Sequence, residues 1–108
     1  MGQDKRKFER YELTGVGALI DRFQCPVINV SDQGVLLEDP MELLRQGDAA
    51  GIVLTVPLLD KIVPVEVYGW VVRAENGMAA LNYDEPVRTW KRLLALLNQK
   101  QKAEKGND

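Results

Sequence analysis

The feature that most constrains this chain is the stretch from Ile62 to Arg73. Val63, Val65, Val67 and Val71 share one parity there, and Glu66, Tyr68, Trp70 and Val72 the other; Asn76-Gly77 follows shortly after. Period-two alternation describes a strand with one face buried, and Asn-Gly accepts positive φ at both central positions of a tight hairpin. The chain must turn back on itself, which makes Met78 to Tyr83 the returning strand. Shorter β-rich runs precede it at Leu13 to Ile20, Cys25 to Val30, Gly34 to Glu38 and Ile52 to Val56. Gly15 and Gly17 in the first of these suggest a bulge or a close backbone contact. Ser31-Asp32-Gln33 is a group of turn formers between the second and third. Evenly spaced short strands with turn signals predict a small barrel or sandwich.

The period changes after Asp84-Glu85-Pro86. Val87, Trp90, Leu93, Leu94 and Leu97 are spaced by three, four and seven, which is one apolar stripe on a helix with acidic residues and a proline at its start. Such a helix closes one end of the barrel or packs on its side; recruiting a partner or a second copy is the alternative. From Gln99 to Asp108 the sequence is polar and is expected to fray. The expected organisation is a basic arm over 1–12, a barrel with its helix over 13–98, and a flexible tail over 99–108.

Composition narrows the function. At 108 residues the chain has room for one domain, and it contains no histidine, the commonest general base and metal ligand. A single cysteine, Cys25, excludes an internal disulfide and a multi-cysteine zinc site. No nucleophile is paired with a base, and Asp32, Glu38 and Asp39 read as a solvated turn region, so an enzyme is not expected. No apolar run approaches the ~20 residues that cross a bilayer, and the first ten residues lack the apolar stretch of a signal peptide. A cytoplasmic location without a membrane span is the expectation.

Charge is distributed unevenly. Residues 1–10 carry Lys5, Arg6, Lys7 and Arg10 against Asp4 and Glu9, a net +2; residues 11–90 carry five basic and twelve acidic side chains, a net −7. Residues 91–108 return to +3, with five basic and two acidic. A nucleic-acid polymer would meet repulsion over most of such a surface, whereas a small anion could be held by the arm.

Two short motifs stand out together: Arg6-Lys7-Phe8-Glu9-Arg10, with arginines four apart, and Asn29-Val30-Ser31-Asp32-Gln33-Gly34. Either alone is weak. In this order, about twenty residues apart and set in a six-strand pattern, they resemble the PilZ domain, whose pattern is RxxxR followed by [D/N]xSxxG. Arg6, Arg10, Asn29, Ser31 and Gly34 meet it, and the VEVYGWVVR run, the hairpin and the C-terminal helix lie where that family has them. Ala79 and Ala80 depart from it, since many members carry glycine in the last strand.

The resemblance implies a six-stranded antiparallel β-barrel with a C-terminal α-helix that binds cyclic diguanylate, with no cofactor. Arginine can bond guanine O6 and N7 bidentately, bridge phosphate oxygens and stack on a base. Asn29 and Ser31 would supply short polar groups, and Gly34 would leave the backbone open to the ligand. Asn29, unlike an aspartate, lacks an anion's pull on the guanine N1–H and N2–H. Lys5 could help hold a second, stacked ligand molecule. Phe8 is expected to pin the arm, and Trp70 to pack in or against the barrel, with base stacking as its alternative. The implied action is ordering of the arginine arm across the barrel and regulation of a partner protein in motility, pili, exopolysaccharide or chemotaxis machinery. The rivals are a PilZ-fold adaptor that acts by protein contact without the ligand, and a small barrel that binds single-stranded RNA.

Overall fold

β-Branched and aliphatic residues recur at every second position of the two longest extended runs, so each run can bury only one face and needs a partner to cover it. In the computed structural model, which describes residues 10–58, 60–84, 86 and 89–106, these runs are β4 (Ala49–Leu58) and β5 (Lys61–Glu75), paired antiparallel over ten residues. Ile52, Leu54 and Val56 of β4 and Val67 and Val71 of β5 are buried. Four more strands complete the set: β1 (Gly17–Ile20), β2 (Phe23–Ser31), β3 (Gly34–Glu38) and β6 (Met78–Tyr83). Every pairing is antiparallel, and the order β1-β2-β3-β6-β5-β4 closes into a barrel. Closure leaves no free sheet edge. The Asn76-Gly77 hairpin forms as its sequence predicts, with φ of 55° and 74°.

Two register shifts break the alternation. In β5, Val71 faces Leu81 and Arg73 faces Ala80, leaving Val72 as the extra residue. In β2, Val27 faces Leu37 and Asn29 faces Leu36, leaving Ile28 over. A bulge of this kind reverses the face presented by everything beyond it. Cys25 is buried before the β2 bulge and Val30 after it, so Asn29 and Ser31 are set on the other side of the sheet, where Ser31 is covered and only 7% exposed. The expected irregularity near Gly15 is instead a turn ahead of a shorter first strand: Gly15 has φ 86°, and β1 begins only at Gly17.

Helix α1 (Trp90–Gly106) buries Trp90, Leu94 and Leu97 against the barrel. It starts several residues beyond Asp84-Glu85-Pro86 and has no acidic residue in its first turn, so the acidic residues lie outside the helix; Val87 falls outside the described residues. The polar stretch from Gln99, expected to fray, continues as helix to Gly106. One reason is Gln101, whose amide accepts from the Thr14 N–H at 2.7 Å and donates to the Thr14 carbonyl at 2.9 Å. A single side chain thereby satisfies both backbone groups of a residue that belongs to no strand.

Of the three acidic residues expected in a solvated turn region, Glu38 is exposed, but Asp39 and Asp32 are not. Asp39 is only 3% exposed, and its carboxylate accepts from the Leu43 and Leu44 N–H groups, both at 2.9 Å. Asp32 is buried as well. Asp39 therefore shapes the connection after β3 by filling backbone donors that would otherwise be unpaired.

Gly69 of β5 is demanded by close approach. It faces Tyr83, and a Cβ there would run into the Asn82 carbonyl, a backbone group that cannot swing aside. Gly69→Ala is expected to destabilise the protein by at least ~1–3 kcal/mol, the scale of overpacking, as read by chemical denaturation. An unchanged midpoint would show that β6 can shift away.

Candidate functional site

The site is a single row of residues lying across adjacent strands. Ser31 of β2 faces Gly34 of β3, Gly34 faces Asn82 of β6, and Asn82 faces Trp70 of β5. Ahead of β1, Tyr11 forms an isolated bridge with Val30, donating to its carbonyl at 2.8 Å and accepting its N–H at 2.9 Å. Continuing that antiparallel register by one residue sets Arg10 against Ser31. These five residues, with Gln33, Tyr83 and Asp84, line one cleft of about 220 Å³. Arg10 and the Ser31–Gly34 turn, some twenty residues apart in sequence, thus meet because one backbone bridge ties Tyr11 to Val30.

The chemistry of the lining is mixed. Arg10 is exposed and always cationic, Asp84 is an exposed acid, Gln33 and Asn82 offer amides, and Ser31 a hydroxyl. Trp70 is 50% exposed, so one indole face is open to solvent beside the cleft. Half exposure agrees with packing against the outer side of the barrel, and it leaves the ring accessible to a base. The β5 alternation carries the reason: Val67 and Val71 take the inward positions, and Trp70 falls on the outward parity. At Gly34 the middle of the row drops to backbone level; a Cβ there would stand 3.3 Å from the Leu81 carbonyl oxygen and 3.5 Å from both Ser31 Oγ and Asn82 Oδ1.

The turn between β2 and β3 is held from several sides. Ser31 Oγ accepts from the Gln33 N–H and donates to the Gly34 carbonyl, both at 3.4 Å. Tyr83 grips the same turn: its N–H donates to the Gln33 carbonyl at 3.0 Å and its hydroxyl to the Ser31 carbonyl at 2.7 Å. The Gly34 carbonyl lies 3.3 Å from that hydroxyl. Behind it, the fully buried Trp90 donates its indole N–H to the Tyr83 oxygen at 3.4 Å. Nothing in the spacing of the sequence links Tyr83 or Trp90 to the motif; the closed sheet brings them there.

Of the residues expected at the site, Arg10, Ser31 and Gly34 are brought together. Asn29 shares the outer side of β2 but is half-buried and does not line the cleft. Lys5, Arg6, Lys7 and Phe8 lie outside the described residues. Asn82 and Asp84 were not anticipated, because their place depends on register between strands distant in sequence; Gln33 lies within the motif, at a position the pattern leaves open.

The PilZ domain pattern matches residues 4–99. The chain belongs to the PilZ domain family. Among solved structures, it is similar to the Bacillus subtilis inhibitor of motility MotI/DgrA, with a TM-score of 0.72 at 17% identity over 92% of this chain. This chain spans 52%, about half, of that protein. The Legionella uncharacterized protein Lpg0364 is similar as well, with a TM-score of 0.60 at 16% identity, covering 91% of this chain and 98% of that one. No curated protein matches. At these identities the structural likeness concerns the fold alone, and the family match spans the positions of both motifs.

Among the described residues, no group of three or more acidic or cysteine side chains is placed to hold a metal, and no helix is long and apolar enough to cross a membrane. Cys25 is buried, and its thiol is pushed above the ordinary value of 9.0 by burial and then by the Asp39 charge, the reverse of an activated nucleophile.

Tyr83 gives this PilZ domain a pH signature. Burial raises its phenol well above the ordinary 10.0; the Trp90 hydrogen bond pulls the other way, and the Asp32 charge adds a smaller rise. The folded protein favours the neutral phenol, so this contribution is whole below pH 10.0 and is lost as the pH rises above it. The stability advantage of wild type over Tyr83→Phe is therefore expected to hold up to about pH 10 and to shrink as the pH rises beyond it. Denaturation of both proteins on either side of that pH is the measurement, and a constant gap would contradict it.

Proposed function

We propose that this PilZ domain is a receptor for cyclic diguanylate that reports binding to a partner protein. The observation that carries the reading is the row Arg10, Ser31, Gly34, Asn82 and Trp70, in which both halves of the family's motif border one cleft. Each member suits part of a guanine nucleotide. The Arg10 guanidinium can take O6 and N7 of guanine or a phosphate, and the open face of Trp70 can stack a base. Gly34 lets the ligand approach the backbone. Asp84, at the rim, can accept the guanine N1–H and N2–H, the anionic role that Asn29 leaves unfilled.

Size supports a site larger than the cleft. At about 220 Å³ it falls below the roughly 300–1,000 Å³ of ordinary small-molecule pockets. It accommodates part of a dinucleotide and leaves the rest to be covered by something else. Arg6, four residues before Arg10, is the nearest further cation of the motif, and Lys5 adds a second. Lys5, Arg6, Lys7 and Arg10 together match the four phosphate charges of two stacked ligand molecules. Binding of such a pair, with closure of the arginine segment over it, is the mechanism we propose. The resulting composite surface is then read by a protein of the motility, pilus, exopolysaccharide or chemotaxis machinery. Similarity to a protein named for inhibiting motility leans toward the first of these.

Arg6→Ala and Arg10→Ala are each expected to weaken cyclic diguanylate binding by ~1–3 kcal/mol, one bidentate contact, with little change in stability. Isothermal titration reads this. If both variants bind as wild type does, the motif is not the site.

The same titration is expected to give two ligand molecules per chain, with affinity falling as salt rises. Lys5→Ala should weaken the second molecule more than the first, and added ligand should protect the Arg6 to Arg10 amides from exchange. A ratio of one, unchanged by Lys5→Ala, would refute the stacked pair. No binding by wild type at all would favour an adaptor that works without the ligand.

A further inference from the structure

The most densely bonded side chain at the cleft is not one of the motif residues. Tyr83 makes hydrogen bonds to the carbonyls of Gln33 and Ser31, with that of Gly34 within reach of the same hydroxyl proton. One residue of β6 thus holds two carbonyls of the motif turn, those of Ser31 and Gln33, and lies close to a third, that of Gly34. Its hydroxyl has a single proton, which the 2.7 Å contact commits to Ser31, and a lone pair, which the Trp90 indole N–H occupies. Trp90 opens α1 and is 0% exposed. Its indole N–H has no water to turn to if Tyr83 moves, so separation would leave a buried donor unpaired.

We propose that Tyr83 is a positioning residue that ties the ligand-binding turn to helix α1, so that occupation of the cleft and the packing of α1 are energetically coupled. Ser31 and Gly34 line the cleft, and a ligand pressing on them displaces or steadies the carbonyls that Tyr83 holds. The phenol passes that change to the indole, and the indole belongs to the first turn of α1. The outward side of α1 carries Arg92, Leu96 and Lys100 four residues apart, with Leu96 56% exposed, so a change in its packing reaches the surface. Coupling of this kind is reciprocal: whatever steadies α1 must also tighten the site. The inference rests on the receptor reading for its ligand, while the tie itself is a property of the free protein.

Tyr83→Phe keeps the ring and its packing and removes only the hydroxyl; Trp90→Phe removes the indole donor at a residue that does not line the cleft. Both variants and their combination would be titrated with cyclic diguanylate under conditions where circular dichroism shows them folded. Each single variant is expected to weaken binding roughly 3- to 10-fold, one ordinary hydrogen bond, and the pair by less than the product. Saturating ligand should slow amide exchange at Leu93, Leu94 and Leu97 in wild type and fail to do so in Tyr83→Phe. A purely structural tyrosine would lower stability and leave affinity and this ligand-dependent protection unchanged, which would overturn the proposal, as would losses that simply multiply. If Trp90→Phe does not fold, the Tyr83→Phe affinity and exchange decide alone. If wild type binds nothing, the receptor reading falls, and exchange in the free protein decides the tie. Faster exchange at both Gly34 and Leu94 in Tyr83→Phe would support it, and a change confined to one of them would overturn it.

Discussion

One extra residue in β2 decides which way the motif faces. Up to Val27 the strand keeps one parity, and Cys25 is buried. Unbroken alternation would carry Asn29 and Ser31 into the barrel interior, where their polar groups would need partners that an aliphatic core does not offer. The bulge at Ile28 lets Val30 take the inward position, at no exposure, and sends its neighbours outward. The bridge from Tyr11 to Val30 then delivers Arg10 to the place where Ser31 emerges. The cleft, its cation and its hydroxyl all follow from that reversal.

The barrel contributes rigidity in the direction that matters for a ligand. Ser31, Gly34, Asn82 and Trp70 are neighbours across four strands, so their spacing is set by the hydrogen-bonded ladder rather than by loop conformation. Gly69 permits the close approach of β5 to β6 that puts Trp70 beside Asn82. The turn itself is braced from behind by Tyr83 and, through it, by the first residue of α1. A site with a fixed floor and an exposed rim suits binding, since less side-chain freedom is lost when the ligand arrives.

Larger clefts are not automatically better candidates. One of about 320 Å³ lies at the other end of β6, lined by Asp39, Glu42, Arg45, Asn76 and Gly77 among others. Its most buried acid, Asp39, already spends both carboxylate oxygens on the Leu43 and Leu44 amides. It has the composition of a capped loop packed against a hairpin. The smaller cleft has an exposed guanidinium and a half-exposed indole.

Much of the fold was legible in local pattern. Alternating valines and an Asn-Gly turn determined the longest hairpin, the apolar stripe determined a terminal helix, and the spacing of Arg6, Arg10, Asn29, Ser31 and Gly34 pointed to the family. These are short-range signals, written in residues that are neighbours along one element. Four things were decided only in three dimensions: the turn of Ser31 away from the core, the place of Trp70 beside Asn82, the burial of Asp39, and the grip of Tyr83 on the motif turn. Asp39 is settled by the amides of its own loop, and the reason is common to the other three. Register between strands, and the bulges that shift it, arise from closing six strands into one barrel, and no local stretch of sequence contains the partner against which its register is set.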